Sequence, residues 1–153
     1  MITIPDILTP RQVLLELAAT TAEAAILEVA QQLRGNDRVL DWGKFVDALR
    51  TGSSCVSNEN GYGICIPHAR TPHVGSMVMA AGRSQKGVFF PEPGIQVHYL
   101  FVIGVPAALA ADYLRIIGAL ARTFRSPKSE AALREAETKE EFIRLLGANE
   151  RSL

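Results

Sequence analysis

The 153-residue chain is poor in several things, and each absence excludes something. It has two cysteines, Cys55 and Cys65. Their spacing fits neither a CxxC motif nor a zinc-ligand pattern. Both are therefore read as free thiols in a reducing cytoplasm, with Cys65 as a buried apolar residue. There is no excess charge of either sign: 16 basic and 16 acidic side chains give a formal net charge of zero. No global field draws the protein to nucleic acid or to an acidic membrane surface, so recognition must be local. Long hydrophobic runs are missing. The richest stretches, Val97–Val105 and Leu114–Leu120, fall well short of the ~20 residues a membrane-spanning helix needs. The N-terminus lacks a basic segment followed by an apolar one, so no secretory signal and no direct membrane insertion are expected. There is no Gly-x-Ser-x-Gly elbow, which argues against a hydrolase.

What is present is a chain with 48% hydrophobic residues and a mean hydropathy of +0.12. That suits a single domain over residues 1–153 with a real core and no need of metal or disulfide staples. The slight apolar bias fits a homo-oligomer or an apolar docking patch. Val13–Leu17 reads as an early strand. Thr20-Thr21-Ala22-Glu23 reads as a capping box, followed by apolar residues at helical spacing up to Gly35. Asp41 can cap a helix to about Leu49. From Arg50 to Tyr62 the chain is rich in Thr, Gly, Ser and Asn, and without a period it reads as a long loop. Gly63–Pro67 reads as a short buried strand ended by proline. Met77–Ala81 and Val97–Val105 read as further strands, with a Gly/Pro-rich loop over 87–94. Ala108–Phe124 has a strong apolar face. Ser126-Pro127 and the capping box at Thr138–Glu141 open two closing helices. Strands interleaved with helices predict an α/β fold.

The most informative segment is Gly61-Tyr62-Gly63-Ile64-Cys65-Ile66-Pro67-His68-Ala69-Arg70. A histidine just beyond a strand end is placed to act as nucleophile, base or ligand. A loop histidine bonded to nearby backbone is the plainer reading. Gly61-Tyr62-Gly63 is no dinucleotide fingerprint, because no helix follows it. Its glycines could turn backbone N–H groups toward an anion. Arg70, two residues beyond His68, is the obvious cationic partner, or simply a surface arginine. A metal site is not expected, since no Asp, Glu or Cys stands at ligand spacing beside His68, His73 or His98. His98, in an apolar strand, reads as a satisfied structural histidine.

This segment resembles the phosphorylation-site motif of enzyme IIA domains of the sugar phosphotransferase system (PTS), in the fructose/mannitol and nitrogen-regulatory branch. The opening Ile7-Leu8-Thr9-Pro10, the run Val97–Pro106 and the helical patterns Leu114–Phe124 and Leu133–Leu146 resemble the rest of that family in its order. The resemblance implies a central mixed β-sheet flanked by helices on both faces. It also implies that His68 accepts a phosphoryl group from the histidine-containing phosphocarrier protein. That group would pass to an enzyme IIB domain or mark a regulatory state, without metal or organic cofactor. Positioning and charge stabilisation would fall to Arg50, Arg70, Gly61, Tyr62, Gly63 and Tyr113.

Four positions depart from the family pattern. Tyr62 and Glu59 replace an asparagine and a glycine of its loop. The usual arginine position falls on Gly52, with Arg50 two residues away. Tyr113 stands where a second active-site histidine is usual, and a phenol carries no positive charge at neutral pH. A carboxylate such as Glu59 at ~4 Å would oppose a phosphoryl group by about 4 kcal/mol per unit charge at an effective dielectric near 20. Two functions follow. One is a phosphohistidine carrier, expected to be regulatory because no IIB or permease segment accompanies it. The other is an enzyme IIA-like binding module impaired in phosphoryl transfer, acting through protein contacts.

Overall fold

A computed structural model describes residues 1–49 and 53–150. Five strands form one mixed sheet in the order β1-β4-β5-β3-β2. They are β1 (Val13–Leu14), β2 (Ser53–Ser57), β3 (Gly63–Arg70), β4 (Val78–Phe90) and β5 (Ile95–Val105). β1 runs parallel to β4 and β3 parallel to β5, while β4–β5 and β2–β3 are antiparallel. Among the described residues six α-helices accompany the sheet: α1 (Ile4–Ile7), α2 (Ala22–Gln31), α3 (Trp42–Leu49), α4 (Ala110–Arg125), α5 (Pro127–Glu135) and α6 (Lys139–Gly147).

Alternation along the strands sends side chains to two cores. On one face Tyr99, Phe101, Ile103 and Val105 of β5 join Ile64 and Ile66 of β3. They pack under α1, α4, α5 and α6 through Ile116, Leu120, Leu133 and Phe142. On the other face Leu100 and Val102 join Cys65 and Ala69, beneath Val29 of α2 and Phe45 of α3. The expected mixed sheet with helices on both faces is therefore what forms, and β5, buried on both sides, explains its near-continuous apolar run. The helix signals also hold. The Asp41 and Thr138 side chains accept from Lys44 and Glu141 N–H at 3.1 Å. Glu141 then pairs with Arg144 rather than completing a capping box. The N-cap of α2 is Thr21, one residue later than its motif suggested.

Four expectations are corrected. The stretch from Arg50 to Tyr62 is not one loop, because Ser53–Ser57 forms β2. As an edge strand exposed on both faces, it has no reason to alternate. Pro67 does not end β3, which continues to Arg70. Pro67 lies opposite Ser53 of the edge strand, and the ladder to β5 resumes at His68↔Ile103. β4 runs through Gly87 to Phe90, so the loop before Gly94 is only a turn. Finally, Cys55 and Cys65 are not free thiols. Their positions are directly opposite in the β2–β3 register, Cα to Cα 4.1 Å, and they form a disulfide. That register puts them within bridging distance.

Candidate functional site

His68 sits inside β3, three positions beyond Cys65 and on the opposite face of the strand. Its side chain shares a face with Ile64 and Ile66, on the side covered by α4. Paired backbone on both sides, to Ile103 of β5 and, at the preceding residue, to Ser53 of β2, holds its Cα rigidly. Nδ1 lies 2.9 Å from the backbone oxygen of Ile66. A carbonyl oxygen only accepts, so Nδ1 carries the proton and donates it. In the neutral ring Nε2 is then the unprotonated nitrogen, with its lone pair available. The ring is half-buried.

One other candidate meets His68, and a second lies beside it on the same face of the strand. Tyr113, in the first turns of α4, places its ring 5.3 Å from the imidazole, centroid to centroid, tilted by 39°. Burial pushes the Tyr113 phenol up from its ordinary pKa, so the hydroxyl is neutral and is a hydrogen-bond donor near pH 7. Arg70 lies two residues along β3 on the same face as His68. It donates to the carbonyl oxygen of Ala107 at 3.2 Å and is exposed. That bond ties the end of β3 to the approach to α4 and parks a guanidinium there. Tyr113 belongs to the first turn of α4, and a helix N-terminus favours negative charge nearby. The carboxylate of that turn, Asp112, is matched by Arg115 at 3.1 Å.

Gly61, Tyr62 and Gly63 do not join this group. They lie in the turn before β3 and at its first residue, and five residues of extended chain at ~3.3 Å each set Gly63 on the order of 16 Å from His68. Their roles there are structural. Gly61 has φ of +86° in the turn between β2 and β3, a conformation that favours glycine. A Cβ on Gly63 would lie 2.0 Å from the backbone oxygen of Gln96. The N–H of Gly63 donates to His98 Nδ1 at 3.2 Å, so His98 is the satisfied structural histidine expected of it. Tyr62 meets His98 edge-on at 4.9 Å and lies under the Arg134 guanidinium at 4.3 Å. Arg134 in turn pairs with Glu130, which is fully buried and accepts from the Tyr99 hydroxyl at 2.6 Å. Glu59 lies in the same distant turn, beyond the ~10 Å screening length of 0.1 M salt, so its charge does not oppose an anion at His68. Arg50 lies outside the described residues. Among the described residues no cluster of His, Cys, Asp or Glu could hold a metal ion. The group missed from sequence is the Ile66 carbonyl. A backbone acceptor has no signature in residue type.

The profile of the family described as "Phosphoenolpyruvate-dependent sugar phosphotransferase system, EIIA 2" matches residues 6–149. The chain belongs to this PTS EIIA family. A fructose-specific EIIA component of the PTS from Haloferax volcanii is 34% identical over 135 residues, covering 87% of this chain and 88% of the relative. A nitrogen regulatory protein from Bradyrhizobium diazoefficiens is 24% identical over 135 residues, 86% of each chain. The crystal structure of nitrogen regulatory protein IIA-Ntr from Neisseria meningitidis superposes with a TM-score of 0.79 at 23% identity, covering 94% of this chain and 98% of that one. IIA mannitol from Escherichia coli shares the fold, with a TM-score of 0.71 at 17% identity over 90% of this chain and 97% of that one. The EIIA fold thus extends over nearly the whole chain. Among the described residues no helix is long and apolar enough to cross a membrane.

Proposed function

We propose that this EIIA protein, as one domain in the cytoplasm, is a phosphohistidine carrier with His68 as the acceptor. The donor is the histidine-containing phosphocarrier protein. The next acceptor is an enzyme IIB domain, or the phosphorylated state itself is read by a regulated protein. A solved complex of IIA mannitol with phosphorylated IIB mannitol from Escherichia coli has the same fold on its IIA side (TM-score 0.72, 16% identity, 92% of this chain and 96% of that one), which supports the IIB reading. The observation that carries the proposal is the bond from Nδ1 to the Ile66 carbonyl, which leaves Nε2 as the nucleophile of a half-exposed ring.

In the transfer, the Nε2 lone pair forms a bond to phosphorus. The P–N bond to the donor imidazole breaks, and its electron pair stays on that donor nitrogen. Nδ1–H keeps its bond to Ile66 while positive charge develops on the ring, which is stabilising. Arg70 and the N-terminus of α4 oppose the phosphoryl charge, and Tyr113 supplies a neutral donor. No metal or organic cofactor is required. The neutral phenol at Tyr113 favours a second reading, in which transfer is inefficient and the protein works chiefly through contacts.

The test is incubation with phosphoenolpyruvate, enzyme I and the phosphocarrier. An acid-labile, base-stable label that disappears in His68→Ala is expected. An unlabelled native protein would leave the second reading, and label surviving in His68→Ala would move the site elsewhere.

A further inference from the structure

We infer that the Cys55–Cys65 disulfide is a redox modification site whose substrate is a dithiol, and that its reduction slows phosphoryl acceptance at His68. The inference rests on the phosphohistidine reading above and adds its regulation. These two residues are all the cysteine the chain has, and both are in the bridge.

The bridge joins an exposed strand to a buried one. In β2 the side chains of Ser53, Ser54, Val56 and Ser57 are exposed, and only Cys55 is half-buried. Little apolar burial holds β2 in place, so its attachment rests on the ladder to β3 and on the bridge. Cys65, by contrast, is fully buried in the core beneath α3. The accessible sulfur is therefore Cys55 Sγ. The Ser53 hydroxyl lies 3.1 Å from Cys65 Sγ and 3.5 Å from Cys55 Sγ. It is placed to donate to the sulfur that leaves.

Reduction runs as thiol–disulfide exchange. One thiolate of the dithiol attacks Cys55 Sγ, forming a mixed disulfide. The Cys55–Cys65 bond breaks, and its electron pair goes to Cys65 Sγ, which takes up a proton. The second thiol of the reductant then attacks its own sulfur in the mixed disulfide. That step releases Cys55 as a thiol and leaves the reductant as a cyclic disulfide.

The route to His68 is short. A 4.1 Å Cα separation marks Cys55↔Cys65 as a non-hydrogen-bonded pair, so the next pair, Ser54↔Ile66, is one that exchanges backbone hydrogen bonds. The pair after it is Ser53↔Pro67. β2 thus braces the peptide whose carbonyl fixes the His68 tautomer. Cutting the bridge opens a loop with a sequence separation of 10. The lost chain constraint is worth up to on the order of 100-fold in the opening equilibrium of β2.

The test compares the full chain oxidised, reduced with dithiothreitol, and reoxidised with diamide, alongside the Cys55→Ser/Cys65→Ser double variant. Amide hydrogen exchange and the rate of labelling through the phosphocarrier are followed. Reduction should speed exchange selectively in Ser53–Ser57 and lower the labelling rate several-fold. Reoxidation should reverse both, and the double variant should stay in the reduced pattern. Equal labelling rates in the oxidised and reduced forms would overturn the switch and leave phosphoryl acceptance standing. Exchange rising throughout the sheet would also overturn it, because the bridge would then be a global staple. Absence of label in every form would overturn phosphoryl acceptance itself, and the switch with it.

Discussion

Replacing Tyr113 by histidine puts an ionisable ring where the structure has a neutral one. The Tyr113 ring sits 5.3 Å from the His68 ring. At that separation and an effective dielectric near 20, a pair of unit charges interacts by about 3 kcal/mol. Both rings are half-buried rather than enclosed, so solvent screening brings the usable part down to about 1 kcal/mol. Since about 1.4 kcal/mol is a factor of ten, Tyr113→His should shift the phosphoryl equilibrium toward this protein by roughly fivefold. The gain should grow as pH falls through about 6.5, where an unperturbed imidazole becomes charged. Tyr113→Phe is the partner measurement. It keeps the ring and loses the hydroxyl, so it should lose about the value of one hydrogen bond to a charged group, ~1.5 kcal/mol, in the same equilibrium. The assay is the fraction of protein phosphorylated at fixed ratios of phosphorylated to free phosphocarrier, from pH 6 to 8. If Tyr113→His and Tyr113→Phe both matched the native protein at every pH, Tyr113 would be packing only, and the stabilising role argued for it would be wrong.

Two further outcomes test the structural half of the reasoning. Gly63→Ala should cost about 3 kcal/mol in urea denaturation, because its Cβ would meet the Gln96 carbonyl at 2.0 Å between two sheet strands; the folded fraction should still label at His68. Burial lowers the His98 pKa, with Arg134 adding to the effect and Glu130 opposing it. The unfolded chain therefore binds more protons just below pH 6.5, and stability should fall as pH drops through that value and level off below the folded pKa. Denaturation midpoints between pH 5 and 8 should show this slope in the native protein and a flatter one in His98→Gln; equal slopes would count against it.

Most of the fold was legible because its signals are local. The caps at Asp41 and Thr138, the proline opening α5 and the apolar face of α4 each act within a turn or two of chain. β5 was legible for a different reason, since burial on both faces leaves an unbroken apolar run. β2 was not, because an edge strand with solvent on both sides has no pattern to impose. The candidate site was half legible. His68 meets Tyr113 because α4 packs on that strand face, and Arg70 shares the face because i and i+2 of a strand point the same way. Gly61, Tyr62 and Gly63 were drawn in by their closeness in sequence. An extended strand turns closeness in sequence into distance, and these residues serve the His98–Arg134 cluster at its far end. The disulfide depends on the β2–β3 register, which no spacing of two cysteines reveals.

The bond from His68 Nδ1 to its own strand has one more consequence, which concerns the order of events. If His68 carries the phosphoryl group as proposed, that bond leaves a single nitrogen on which the group arrives and from which it departs. Donor and recipient proteins would then address the same atom through the same opening, and the two could not be seated together. Exchange through such a site is ping-pong: each partner must leave before the next can dock. Excess unphosphorylated partner of either kind should then act as a competitive inhibitor of the other. Between the two encounters the only record of the first is the state of one imidazole.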